Sequence, residues 1–113
     1  MNVVTLDDGS AEIRLEGRLD IEGAQKIDLA LATLAGSRPN LVFDLTDVSF
    51  LASIGLRAIM VNAKAVHRRG GKVALFGCRP EVAQVLSSTG IDQIVPSVPT
   101  RGDALAMLGL AVA

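Results

Sequence analysis

Aromatic residues are nearly missing from this chain: 113 residues contain three phenylalanines and no tryptophan or tyrosine. Stacking of nucleic-acid bases on aromatic side chains is therefore unsupported. With 50% of the residues hydrophobic, the core must be aliphatic and alanine-rich. A lone cysteine, Cys78, excludes an intramolecular disulfide and a cysteine-cluster metal site, and it reads as a small buried hydrophobe rather than a reactive thiol. Charge of one sign is also lacking. Eleven Lys and Arg against twelve Asp and Glu give a net charge of -1, too little for a field that gathers phosphates or anionic lipid. The longest apolar tract, residues 104–113, falls short of the ~18–20 residues of a membrane span and reads as a helix end or tail packed on the domain. No basic segment followed by an apolar run opens the chain, so a reducing, cytoplasmic location is expected. Neither G-x-G-x-x-G nor G-x-x-x-x-G-K-[ST] occurs, and no nucleotide cofactor or metal is expected.

The pattern of what is present describes one domain over residues 1–113, since two cores would leave each half too small to offset chain entropy. Val3-Val4-Thr5-Leu6 and the alternating Ala11-Glu12-Ile13-Arg14-Leu15-Glu16 predict two strands, and Asp7-Asp8-Gly9-Ser10 between them predicts a hairpin. Ala24, Ile27, Leu31 and Leu34 then fall at helical spacing, and Gly36 and Pro39 mark the end of that helix. A third strand is expected over residues 41–45. Residues 53–69 predict a helix whose polar positions are Asn62, Lys64, His67, Arg68 and Arg69, stopped by Gly70-Gly71. Val73-Ala74-Leu75-Phe76 reads as a strand covered on both faces. A helix over 81–88, a short strand near Ile94-Val95 and a last helix over 102–108 complete the pattern. The expected fold is α/β: a mixed, mainly parallel sheet with an N-terminal hairpin and helices packed mainly on one face.

The segment Leu41-Val42-Phe43-Asp44-Leu45-Thr46-Asp47-Val48-Ser49-Phe50-Leu51-Ala52-Ser53-Ile54-Gly55-Leu56 runs from a strand through a loop into a helix that opens at a serine. It resembles the signature of the STAS domain, of anti-sigma factor antagonist type, in which a strand reading roughly v-D-l-s-x-v-x-f leads into D-S-[ST]-G-L. Ser53, Gly55 and Leu56 match; Ala52 and Ile54 depart. Gly17-Arg18-Leu19-Asp20 is similar to the family's G-x-L-D before its first helix. Thr89-Gly90-Ile91-Asp92 and Asp103-Ala104-Leu105 resemble its C-terminal x-t-G-l-x and x-A-L patterns. The resemblance implies the same mixed sheet and a non-catalytic module that binds an anti-sigma factor with serine-kinase activity. Ser53 would then be the phosphorylated residue, and the partner-binding surface would comprise Asp20, Ala52, Ser53, Ile54, Gly55 and Leu56.

Enzymatic readings find little support in the residues. His67, the only histidine, lies fourteen residues beyond Ser53 on the same expected helix, which at ~1.5 Å per residue separates them by about 20 Å. Asp20, Asp44 and Asp47 each lie at or just after the end of an expected strand. They are candidates for a shared pocket able to hold Mg²⁺ or to work as acid and base, with helix capping and loop solvation the plainer reading for each. The run His67-Arg68-Arg69-Gly70-Gly71-Lys72 fits a helix C-terminus, where cations are stabilised, rather than a nucleic-acid site.

Ser53 has two compatible roles: capping its helix through a bond from a first-turn N–H, and carrying a phosphate where free N–H groups and the helix dipole favour an anion. Ala52 removes the carboxylate that would stand before the serine, which predicts slow or absent phosphorylation. Ile54 is expected to turn inward, burial contributing ~2 kcal/mol; apolar contact with the partner is the alternative. Two further functions compete. One is a structural subunit of a larger lipid-transport or stress-sensing assembly, using the same surface unphosphorylated; the other is a small-ligand or nucleotide sensor built on Asp20 and Asp44.

Overall fold

The computed structural model describes residues 1–110. Strand β1 (Asn2–Thr5) turns back into β2 (Ala11–Leu19), and helix α1 (Ile21–Ser37) carries the chain to β3 (Leu41–Leu51). Helix α2 (Ser53–Arg68), β4 (Val73–Phe76), α3 (Pro80–Ser88), a 3-10 turn (Ile91–Gln93), β5 (Ser97–Val98) and α4 (Arg101–Met107) follow. The strands lie side by side in chain order, β1 antiparallel to β2 and the rest parallel. Three successive parallel crossovers that step the same way across a sheet put their helices on the same face, because such crossovers are right-handed. The expected mixed, mainly parallel sheet is therefore the observed one.

That face holds the larger core, where Ile13, Leu15, Phe43, Leu45 and Leu75 meet Leu31, Leu34, Ile59, Ala63, Val66, Val82 and Leu86. On the reverse face α4 seals a smaller cluster of Val42, Ala74, Phe76, Ala104, Leu105 and Leu108, with Leu110 against it. All four residues of β4 are consequently buried, as its unbroken apolar sequence predicts. Of the apolar tract over 104–113, residues 111–113 lie outside the described residues.

Two expectations need correction. The strand expected near Ile94-Val95 is absent, because the Ile91 carbonyl accepts the amides of both Ile94 and Val95 at 2.9 Å. Sheet pairing starts only at Pro96, whose carbonyl accepts the Leu75 amide at 2.8 Å. The second correction has more consequence: β2 and β3 do not stop at Glu16 and Leu45 but continue to Leu19 and Leu51. Their pairing survives the polar residues Thr46 and Asp47 through two register shifts, at each of which β3 has one residue more than β2; the second falls beside Gly17 at φ 77°, a backbone geometry open to glycine at little cost.

Helix α1 has no basic residue in its last turn, and its exposed carbonyls are satisfied from elsewhere. Arg69, just past α2, donates from Nη2 to the carbonyls of Ala35 and, at 2.6 Å, Arg38. One guanidinium thus answers the negative end of α1 and ties the two helices together at that end. Arg69→Ala is expected to lower unfolding stability by about 1 kcal/mol, while Arg68→Ala leaves it within ~0.5 kcal/mol. Urea unfolding of the two variants beside the wild type checks this.

Candidate functional site

The long pairing of β2 with β3 ends at Leu19 opposite Leu51, and the Ala52 amide donates to the Leu19 carbonyl at 3.1 Å. The entrances to α1 and α2 therefore open side by side at one end of the sheet. Asp20 caps α1, its Oδ1 accepting from the Gly23 amide at 3.0 Å. That bond, with the Arg18 guanidinium 3.4 Å away, holds the Asp20 carboxyl below its ordinary range. Arg18 also lies over the ring of Phe50 at 4.2 Å, and Phe50 is 40% exposed.

Helix α2 starts differently from the sequence expectation. Ala52 occupies the N-cap position and has no side chain to bond with, while Ser53 is the first helical residue and is exposed. Ser53 therefore does not cap its helix; a first-turn residue points its side chain away from the amides that a cap would meet. Ile54 does not turn inward either and is 37% exposed. The inward positions of this turn belong to Gly55 and Leu56, both buried. A Cβ on Gly55 would lie 2.6 Å from the Leu19 carbonyl oxygen and 2.8 Å from the Leu19 Cβ, so only glycine lets α2 rest on the end of β2. Among the candidate partner-binding residues, Ser53 and Ile54 are thus on the surface, Asp20 and Ala52 are partly covered, and Gly55 and Leu56 support them from beneath.

The candidate pocket of Asp20, Asp44 and Asp47 does not form. Because β3 continues to Leu51, Asp44 lies seven residues back along the strand, about 23 Å at ~3.3 Å per residue. Asp44 is 5% exposed and locally satisfied. Its Oδ1 accepts from the Thr46 hydroxyl at 2.6 Å and the Thr46 amide at 3.0 Å, and Oδ2 accepts from Arg14 Nε at 3.3 Å. Arg14 lies 3.8 Å from Asp47 as well. Among the described residues no three His, Cys, Asp or Glu side chains are grouped to hold a metal ion. Cys78 is half-buried against the large core, and burial pushes its thiol up. No helix among the described residues is long and apolar enough to cross a membrane.

One surface was not legible in the sequence. A groove of about 610 Å³ runs between α1 and α2, lined by Ala24, Gln25 and Asp28 on one side and by Ser53, Ile54, Arg57, Ala58, Val61 and Asn62 on the other. Asn62, expected among the polar positions of the helix, is 5% exposed. The only sequence signal was an asparagine one residue ahead of Ala63 on the inward side of the helix.

At the carboxyl ends of β2 and β3 the adjacent helix entrances present an exposed serine beside an exposed isoleucine. The chain belongs to the STAS domain family, which it matches over residues 3–104. It is 26% identical over 98 residues to the anti-sigma F factor antagonist of Paenibacillus polymyxa, spanning 85% of this chain and 84% of that protein. An anti-sigma factor antagonist from Mycobacterium paratuberculosis superposes with a TM-score of 0.82 at 29% identity, covering 96% of this chain and 93% of the other. The anti-sigma factor antagonist SpoIIAA in its unphosphorylated form shares the fold at a TM-score of 0.81 and 18% identity, covering 98% of each chain.

Two expectations follow from this geometry. Ala52 leaves the cap of α2 empty, so Ala52→Asp, which restores the acidic residue of the family pattern at the N-cap, should stabilise the fold by about 1 kcal/mol in urea unfolding. Burial pushes the Asp44 carboxyl up, but the Thr46 hydroxyl and amide and the Arg14 guanidinium outweigh it, and the group sits below its ordinary value of 3.8. A lowered folded-state value means that stability is present above about pH 4 and is lost as pH falls through the folded value. Asp44→Asn should flatten the acid limb of a stability-against-pH curve measured from pH 6 downward.

Proposed function

We propose that this protein is an anti-sigma factor antagonist: a non-catalytic, cytoplasmic module that sequesters an anti-sigma factor through the Asp20 loop and the start of α2. The observation that carries the reading is the exposed Ser53 at the first position of α2, beside exposed Ile54, where the β2–α1 and β3–α2 junctions converge. The family relationship supports it, because relatives along nearly the whole chain bear that function in their names.

Phosphorylation of Ser53 by the same partner acting as a serine kinase would switch the contact. A phosphate adds ~1.5–2 negative charges at pH 7 next to Ile54, and desolvating a dianion against a closely packed apolar surface is costly. The α2 N-terminus would tolerate that anion in the free protein, since no acidic residue occupies its first turn and no side chain caps it. SpoIIAA, solved also in a phosphorylated form, shares the fold at a TM-score of 0.73 and 18% identity. No nucleic acid, metal or cofactor enters this reading. A second reading rests on Ala52: without a carboxylate before Ser53, the same surface would serve an unphosphorylated structural subunit of a larger assembly. Asp20 and Asp44 lie too far apart along the β2–β3 pair to share the pocket a small-ligand sensor would need.

Ser53→Asp should weaken binding of the anti-sigma partner at least tenfold, and Ser53→Ala should bind as the wild type does. Neither should change stability by more than ~0.5 kcal/mol, since Ser53 makes no cap bond. Titration calorimetry measures both affinities. Intact-mass analysis after incubation with partner and ATP should show slow phosphate gain on the wild type and faster gain on Ala52→Asp. Equal affinities for all three Ser53 forms would remove this residue from the contact, and no phosphate gain on any form would favour the structural-subunit reading.

A further inference from the structure

Asn62 is the least expected residue of α2. It is 5% exposed in the middle of a helix packed against α1, and its Nδ2 donates at 2.6 Å to the carbonyl of Ala58, one turn back on its own helix. That bond fixes the amide's orientation, since the opposite flip would set two oxygens against each other. Its Oδ1 accepts no hydrogen bond among the described residues, and no buried side-chain oxygen or nitrogen among them lacks a partner. The oxygen therefore reaches the surface, and the surface at Asn62 is the α1–α2 groove. A helix that needed only packing here would carry leucine or alanine; an asparagine that bonds to its own backbone adds nothing to helix stability.

The rest of the groove is furnished for the same purpose. Ala24, Ile54, Ala58 and Val61 give it apolar walls, with Val61 53% exposed. Asp28 on α1 and Arg57 on α2 bring opposite charges to its two sides, and neither has an ion-pair partner among the described residues. From Ser53 to Asn62 the α2 wall extends over nine residues, about 14 Å at ~1.5 Å each, the length of two to three helical turns.

We propose that the groove receives a helix of the anti-sigma partner, with an apolar stripe against Ile54 and Val61, an acidic side chain to Arg57, a basic one to Asp28 and a hydrogen-bond donor to Asn62 Oδ1. The inference rests on the antagonist reading and extends its contact from the start of α2 along the helix to Asn62. A groove between two helices fits the convex, ridged side of a third. A second copy of this chain would pair Asp28 with Arg57 reciprocally, but it would bring a concave groove to a concave groove and leave Asn62 unmet. The groove-facing oxygen provides selectivity: a partner without a donor at that point would bury it unpaired, a cost that rejects near-fitting helices.

The test uses the full chain with the intact partner. Asn62→Leu, Asp28→Arg and Arg57→Glu are titrated against the partner by calorimetry, each beside urea unfolding and sedimentation velocity of the free protein. Asn62→Leu is expected to bind at least tenfold more weakly with no loss of stability. Each charge reversal, at an exposed site that tolerates substitution, is expected to cost fivefold or more. Affinities within twofold of wild type for Arg57→Glu and Asp28→Arg overturn the inference, and they do so even if Asn62→Leu fails to fold. Self-association of the wild type that both reversals abolish also overturns it, in favour of a second copy. Failure of the antagonist reading looks different, since the wild type itself would then not bind the partner. Weak binding by Ser53→Asp alongside wild-type binding by all three groove variants would leave that reading standing and remove the groove from it.

Discussion

The pairing of β2 with β3 beyond the reach of β4 is the constraint on which the rest of the site depends. β4 meets β3 only from Leu41 to Asp44, whereas β2 follows β3 as far as Leu51. The extra length carries the α1 and α2 entrances well clear of the remaining sheet and keeps them adjacent. Gly55 makes the adjacency close, since the helix backbone rests on Leu19 where a methyl group would overlap the Leu19 carbonyl. Without the extension, Asp20 and Ser53 would open at different levels; without the glycine, α2 would stand away from β2 and the shared surface would divide.

Exposure and support fall to different residues within the same motif. Gly55 and Leu56 are buried support, whereas Ser53 and Ile54 face solvent. A serine at the first helical position contributes nothing to capping, and an isoleucine held 37% exposed forgoes part of the burial free energy open to it. On the proposed antagonist reading, these locally unfavourable choices on one surface are stability given up for recognition. Asn62 belongs with them, half-satisfied by its own helix and open to the groove on its other side.

The polar cluster on the reverse side of the sheet is structural. Arg14, Asp44, Thr46 and Asp47 satisfy one another along β2 and β3, and Arg101 reaches across from α4 to Glu12 at 2.8 Å. These contacts let two parallel strands stay paired through residues too polar for a core. They also hold Asp44 and Asp47 together on Arg14, away from Asp20 beyond the far end of β2.

Much of the fold was legible from period and punctuation. The hairpin follows from Asp7-Asp8-Gly9-Ser10, the burial of β4 from Val73-Ala74-Leu75-Phe76, and the extent of α2 from the serine that opens it and Gly70-Gly71, because each signal is local and needs no partner to be read. The family was legible as well, since Ser53, Gly55 and Leu56 keep their spacing within the chain. The length of β2 and β3, the register of β5, the outward turn of Ile54 and the burial of Asn62 were decided only by the tertiary structure. In each case the outcome depends on what lies opposite: a neighbouring strand that keeps polar residues paired, a 3-10 turn that consumes the amides of Ile94 and Val95, or a helix α1 that covers one asparagine and leaves one isoleucine open. Residue type limits what a side chain can do, and the elements packed beside it determine which of those roles it takes.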